Sequence, residues 1–129
     1  MVMGEIQDAA PVPRPAAELD AADARLRELA RREGMSAWCA GLIDGMAWTR
    51  PGRRQRSPMR LEPTGGAAPD EAAMLAEIAA CDETLASPTS PNRPRAWIAG
   101  VRTSLWWVLG RRTDLPAEPD EPVGPEAAE

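Results

Sequence analysis

The side chains that most often carry out enzyme chemistry are scarce in this chain. Its 129 residues include no histidine and no lysine, which excludes serine–histidine, cysteine–histidine and lysine nucleophile arrangements. The remaining candidates for acid–base work are Asp20 with Asp23, and Asp44 alone. Carboxylates on predicted helices more often belong to a solvated face or to the helix start. We therefore expect a protein that is not an enzyme.

Ligand and metal chemistry is equally restricted. Without histidine there can be no di-iron motif of the Glu-x-x-His kind, and no glycine loop for phosphate is present. Cys39 and Cys81 are the only cysteines and are too far apart in sequence for a metal-binding pair. Both fall on the inward faces of predicted helices, so we interpret them as small core residues. We expect no cofactor, no metal and no small-molecule substrate.

Tryptophan, glycine and arginine recur in this chain as two copies of one pattern. The first copy contains Trp38, Gly41 and Trp48. The second copy contains Trp97, Gly100 and Trp107, each separated from its counterpart by the same number of residues. After a one-residue shift, Gly52-Arg53-Arg54 is matched by Gly110-Arg111-Arg112. Internal duplication of this kind indicates that the fold is built from two equivalent units.

Each copy is predicted to form two helices. Start and stop residues place the four helices from Pro15 to Gly34, from Ser36 to about Arg50, from Asp70 to about Ala86, and from near Asn92 to Leu109. The predicted segments are an N-terminal arm (1–14), a first hairpin repeat (15–58), a Pro/Gly/Arg linker (59–69), a second hairpin repeat (70–116) and an acidic C-terminal tail (117–129).

A hairpin of about forty residues buries too little surface to be stable alone, so the two copies should pack together. We predict an all-α fold in which two tandem helical hairpins form a pseudo-twofold four-helix bundle with extended arms at both ends. Trp38 and Trp97 should be equivalent core anchors. Gly41 and Gly45 each cost about 1 kcal/mol in a helix relative to alanine, so a second backbone or an aromatic ring should approach them closely.

Candidate partner-binding residues follow from the same repeat. Trp48 and Trp107 should line either the contact between the hairpins or an outer docking surface. Trp106 has Ala47 as its counterpart and should project from the bundle as an extra surface tryptophan. The arginines of the repeated Gly-Arg-Arg complete the predicted protein-binding set, which comprises Trp48, Trp106, Trp107, Arg53, Arg54, Arg111 and Arg112.

An alternative use of the arginines is nucleic-acid binding. The five residues concerned lie between two helices and are Arg50, Arg53, Arg54, Arg56 and Arg60. The formal net charge of −5 argues against a dedicated nucleic-acid binder. The repeat favours a simpler interpretation, in which each Gly-Arg-Arg ends a helix and its arginines neutralise the terminal carbonyls.

These patterns favour a non-catalytic helical protein that binds a protein partner or further copies of itself. Exposed arginines of one subunit could meet the acidic tail of a neighbour. Because arginine replaces lysine throughout, the coding sequence should be GC-rich, and a phage or mobile-element structural component of the capsid-associated or connector type would fit. A small regulator or host-takeover protein that uses residues 50–60 is the alternative. An antagonist that mimics nucleic acid would need its carboxylates on one face, whereas here they lie at helix starts and in the tail.

No stretch predicts a secretory signal or a membrane span. The most hydrophobic segment, 96–109, contains Arg102 and is too short to cross a bilayer. We therefore predict a cytoplasmic protein, or one located in the virion if a phage encodes it.

Overall fold

The computed structural model describes residues 13–50, 57–61, 68–87, 93–116 and 118. Within these ranges the chain forms four helices and no strand, so the predicted all-α class is confirmed. The helices are α1 (Ala16–Glu33), α2 (Ala37–Trp48), α3 (Glu71–Ala86) and α4 (Arg95–Val108). The predicted arms, 1–14 and 117–129, lie almost entirely outside the described residues.

Local sequence signals account for most helix ends. The Ser36 side chain accepts a hydrogen bond from the Cys39 N–H at 3.0 Å, and the Asp70 side chain accepts one from the Ala73 N–H at 2.8 Å. Each is an N-cap that satisfies an otherwise free donor in the first turn. Gly34 ends α1 with a φ of 93°, a conformation that side chains with a Cβ rarely adopt.

The start of α4 differs from the prediction. We placed it near Asn92, whereas the helix begins at Arg95 and Pro94 occupies the capping position with a φ of −57°. Proline suits the edge of a first turn because it has no N–H to satisfy, but it disfavours helical geometry in the residue before it, here Arg93. This proline therefore sets the helix boundary.

Helix packing follows the predicted pseudo-twofold order. The most extensive contact joins α2 to α4, the second helices of the two repeats. Helix α1 packs on the outside of α2, and α3 packs on the outside of α4. The bundle is thus a central helix pair flanked by the first helix of each repeat.

The contact between α2 and α4 is reciprocal at the duplicated glycines. A Cβ atom at Gly41 would overlap the carbonyl oxygen of Trp97 and lie 2.9 Å from its carbonyl carbon. A Cβ atom at Gly100 would lie 2.5 Å from the carbonyl oxygen of Trp38. Because each glycine faces the backbone of the opposite tryptophan, the contact is isologous. Close approach of a second backbone is one of the two compensations expected for these glycines.

Gly45 and Ser104 occupy equivalent positions in the two copies and face each other. A Cβ atom at Gly45 would overlap the Ser104 hydroxyl and lie 3.2 Å from the carbonyl oxygen of Val101. Ser104 is fully buried, and its hydroxyl donates to the Val101 carbonyl at 2.9 Å. The pseudo-twofold axis therefore passes between position 45 and position 104, where both residues are small.

Trp38 and Trp97 are equivalent in burial and in backbone contacts, as the repeat requires. Each side chain is 4% exposed. Their indole N–H groups have different partners, because Trp38 donates to the Pro116 carbonyl at 3.0 Å and Trp97 donates to the Asp44 carboxylate at 2.8 Å. Buried tryptophan normally requires such a partner for its N–H.

The segment after the second helix of each repeat crosses to the opposite repeat. Pro116, which follows α4, binds Trp38 of the first repeat. Met59 and Arg60, which follow α2, donate their backbone N–H groups to Glu77 of α3. This exchange ties the two hairpins together.

Candidate interaction surface

Two of the predicted partner-binding tryptophans lie inside the bundle. Trp48 is 2% exposed and Trp107 is 7% exposed, and both belong to the hydrophobic core. Their predicted place was either the contact between the hairpins or an outer docking surface, and both side chains lie inside the bundle. The Trp48 Nε1 atom is buried and has no hydrogen-bond partner in the described part of the chain.

Trp106 lies at the surface of α4, half-buried against the core. The Arg111 guanidinium lies over its ring at 5.8 Å from the ring centre and also binds the Glu71 carboxylate at 2.8 Å. A cation over an indole face is a favourable arrangement. Trp106, Arg111 and Glu71 together form a small amphipathic surface, named here the Trp106 surface, that joins the end of α4 to the start of α3.

Arg14 performs the carbonyl-capping role that we assigned to the repeated arginines. Its Nε donates to the Trp107 carbonyl at 2.7 Å, and its Nη2 donates to the Arg112 carbonyl at 2.6 Å. The same guanidinium lies over the Trp107 ring at 4.5 Å. The predicted capping role is wrong for Arg111, whose side chain instead binds Glu71 and Trp106.

The glycine of the second Gly-Arg-Arg does end its helix. Gly110 has a φ of 79°, and its N–H donates to the Trp107 carbonyl at 3.0 Å. The Arg111 N–H donates to the Trp106 carbonyl at 2.9 Å, which completes a C-terminal turn. Arg112 binds Asp114 through its side chain at 3.2 Å. The first Gly-Arg-Arg, residues 52–54, lies outside the described residues.

The arginines proposed for nucleic-acid binding are described only in part. Arg50 binds the Asp20 carboxylate of α1 at 2.6 Å, and Arg60 binds Glu77 at 3.0 Å. Arg53, Arg54 and Arg56 lie outside the described residues. The two arginines that can be placed therefore both neutralise carboxylates of the same chain, which reduces their availability to phosphates.

Glu77 is the buried charge that sequence patterns did not reveal. Its side chain is fully buried, and it accepts hydrogen bonds from the Met59 N–H, from the Arg60 N–H at 3.2 Å and from Arg60 Nε at 3.0 Å. A buried carboxylate is tolerated only with such partners. Its repeat counterpart, Glu18, is about half exposed and binds Arg14. The repeated glutamate alone gave no indication of which copy is buried.

The three carboxylates considered for acid–base work all have structural partners. Asp20 binds Arg50, Asp23 binds Arg27 at 2.9 Å, and Asp44 accepts from the Trp97 indole. Each is bound to a different residue. Across the described segments, no three acidic or cysteine side chains are grouped closely enough to hold a metal ion.

The cysteines are buried core residues, as predicted from their helical positions. Burial raises the pKa of the Cys39 thiol, and its Sγ lies 3.6 Å from the Leu26 carbonyl oxygen, to which it donates. Burial is also the main cause that raises the pKa of Cys81 to about 12, and nearby Glu77 adds to it. A thiol with a raised pKa is a poor nucleophile because little thiolate forms. Neither cysteine is bonded to another.

A groove on α1 was not predicted from the sequence. It has a volume of about 360 Å³, and its lining residues are Arg25, Leu26, Glu28, Leu29, Arg32 and Leu115. Leu26 and Leu115 are buried, which gives the groove an apolar floor, whereas Arg25 and Arg32 are exposed. Only the tertiary fold brings Leu115 onto α1, so no local pattern could reveal this groove.

Among the helices that the structure describes, none has the length and apolarity that a bilayer crossing requires. No family model, curated protein or solved structure matches this chain.

Proposed function

We propose that this chain is a non-catalytic helical assembly protein that binds a further copy of itself through the Trp106 surface. The observation that carries the proposal is the asymmetry at this position. Trp106 replaces the Ala47 of the first repeat, and it is half-buried beside Arg111 at the bundle surface. Tryptophan and arginine are the residues most enriched among those that dominate binding energy.

Core packing alone does not account for a tryptophan at this position. The reciprocal contact between α2 and α4 uses Gly41, Gly100 and the two buried tryptophans opposite them. Ala47, the equivalent residue of the first repeat, is also half-buried, so a small side chain suffices at this position there. The additional aromatic area at the surface therefore favours a contact with another molecule.

A finer proposal concerns the setting. Self-association through a small aromatic surface would suit a capsid-associated or connector component of a phage or mobile element. The amino-acid composition is the support for this assignment. The nucleic-acid alternative has less support, because Arg50 and Arg60 bind carboxylates of their own chain.

Sedimentation velocity over a wide concentration range tests self-association. The full chain should form a defined oligomer, and Trp106→Ala should weaken that association by about 30-fold, as expected for an interface residue worth about 2 kcal/mol. This substitution restores the residue of the first repeat and should leave the fold intact. Arg102→Ala is the matched control on the same helix, since it removes only an exposed ion pair with Asp82.

A monomer at every concentration, or an oligomer that Trp106→Ala leaves unchanged, would overturn the proposal. Titration of a duplex DNA with the same protein tests the alternative. Tight binding whose affinity falls steeply with salt would favour the nucleic-acid regulator over the assembly protein.

A further inference from the structure

The groove on α1 contains two arginines whose charge the described residues leave unbalanced. Their neighbours on the same helix are paired, because Arg27 binds Asp23 and Arg31 binds Glu28. No described carboxylate lies within ion-pair distance of Arg25 or Arg32, although both border the groove. They are seven positions apart, or roughly 10 Å along a helix, and so lie on one face of α1.

The floor of the groove is apolar and is completed by the end of the second repeat. Leu115 is 9% exposed and lines the groove beside Leu26 and Leu29. The next residue, Pro116, is held in place because its carbonyl accepts the Trp38 indole N–H. The chain therefore leaves the bundle directly beside the two arginines.

The residues that follow have the opposite charge. After Pro116 the sequence has no basic side chain and contains the carboxylates of Glu118, Asp120, Glu121, Glu126 and Glu129. Ten extended residues span up to about 33 Å, which is far more than the separation of Arg25 and Arg32. Tethering beside the groove also gives the segment a high effective concentration there, of about millimolar order.

We propose that the groove of Arg25, Leu26, Glu28, Leu29, Arg32 and Leu115, in which Arg31 neutralises Glu28, is the docking site for the acidic C-terminal segment of the same chain, residues 119–129. The two guanidinium groups bind carboxylates of the segment, and the leucine floor accommodates its apolar residues, such as Val123. The inference goes beyond self-association because it concerns a different surface and an intramolecular contact.

Paramagnetic relaxation on the full chain tests this docking. A nitroxide attached at the Ala128→Cys position leaves every carboxylate in place, and the buried native thiols react slowly. Amide signals of residues 25–32 should be attenuated by the label. The attenuation should be lost in Arg25→Gln/Arg32→Gln and retained in Arg27→Gln/Arg102→Gln, which removes the same charge from two ion pairs outside the groove. Asp120→Asn/Glu121→Gln should also reduce the attenuation, because it removes two carboxylates from the segment.

Salt and mixing experiments define the remaining outcomes. Attenuation should fall at about 1 M salt, where the Debye length is about 3 Å. A mixture of spin-labelled unenriched protein and unlabelled ¹⁵N-enriched protein should show no attenuation at residues 25–32. Attenuation in that mixture would overturn the intramolecular docking in favour of a second copy. Absent attenuation, or equal loss in both arginine pairs, would overturn the site itself. The mixing experiment uses Trp106→Ala chains, so that self-association through the Trp106 surface does not bring the label of one copy close to the groove of another.

Discussion

The centre of the bundle and its periphery treat the internal repeat differently. At the centre, equivalent residues of α2 and α4 make equivalent contacts, with Gly41 against Trp97 and Gly100 against Trp38. At the periphery, equivalent residues differ. Glu77 is fully buried, whereas Glu18 is about half exposed. Close backbone packing thus preserves the symmetry. The two copies have diverged in the outer helices, in the connecting segments and on the outward face of the central pair, where Ala47 and Trp106 differ.

The largest expected effect comes from breaking the central contact. Gly41→Ala places a methyl group on the Trp97 carbonyl, and because backbone is in the way the helices must separate. Overpacking of this kind costs about 3 kcal/mol or more, well above the gain of about 1 kcal/mol in helix propensity. Urea unfolding followed by tryptophan fluorescence measures the loss.

The reciprocal variant sharpens this result. Gly100→Ala should destabilise the fold by a similar amount, since its Cβ would meet the Trp38 carbonyl. Ala76→Gly, in the interior of the outer helix α3, serves as the comparison. It lowers helix propensity and changes packing little. A loss at Gly41 no larger than that at Ala76 would contradict the close approach of the central helices.

The next largest effect distinguishes the two repeated glutamates. Glu77→Ala leaves the Met59 and Arg60 N–H groups without their acceptor and should cost about 2–3 kcal/mol. Glu18→Ala removes one exposed ion pair with Arg14 and should cost less than about 1 kcal/mol. The difference in free energy of unfolding between the two variants measures how far the periphery has diverged. Equal costs would mean that Glu77 is not buried.

A smaller effect is expected on the pseudo-twofold axis itself. Gly45→Ala meets the Ser104 hydroxyl, a side-chain atom, and should cost about 1–2 kcal/mol. Ser104→Gly removes that obstacle. The double variant should therefore be less destabilised than the sum of the two single variants, with a coupling of about 1 kcal/mol in a double-mutant cycle. Strict additivity would place positions 45 and 104 apart.

The last effect concerns Cys81 and develops only at alkaline pH. Since the fold raises its thiol pKa from 9.0 to about 12, the folded protein keeps a proton that the unfolded chain loses. The stability from this group is complete below pH 9 and is lost as the pH rises towards 12, by up to about 1.4 kcal/mol per unit. Cys81→Ala restores the alanine found at Ala22 and should flatten the decline. An unchanged pH profile between pH 8 and pH 10.5 would show that Cys81 does not cause it.

Much of the fold could be predicted because its signals are local. Pro15, Gly34, Ser36 and Asp70 mark helix ends through their own backbone and side-chain chemistry, and the duplicated Trp and Gly pattern paired the hairpins. The prediction of a start near Asn92 is wrong because Pro94 disfavours helical geometry in Arg93, the residue before it.

The candidate sites depended on contacts between residues distant in sequence. The capping role of Arg14 comes from the meeting of the start of α1 with the end of α4, a contact that the repeat does not encode because the second copy has alanine at the equivalent position. The burial of Glu77 requires residues 59–60 to fold back on α3. Likewise, Leu115 completes the groove only after the second repeat has packed on the first. Charge and periodicity carry no information about such long-range contacts.

The most direct test of the reciprocal central contact is a set of nuclear Overhauser effects in the unmodified protein. The structure predicts contacts from the Gly41 α-protons to Trp97 and, equally, from the Gly100 α-protons to Trp38 and Leu42. Observing both would establish that the duplicated hairpins pack as equivalent halves. Finding one without the other, or neither, would contradict the pseudo-twofold bundle.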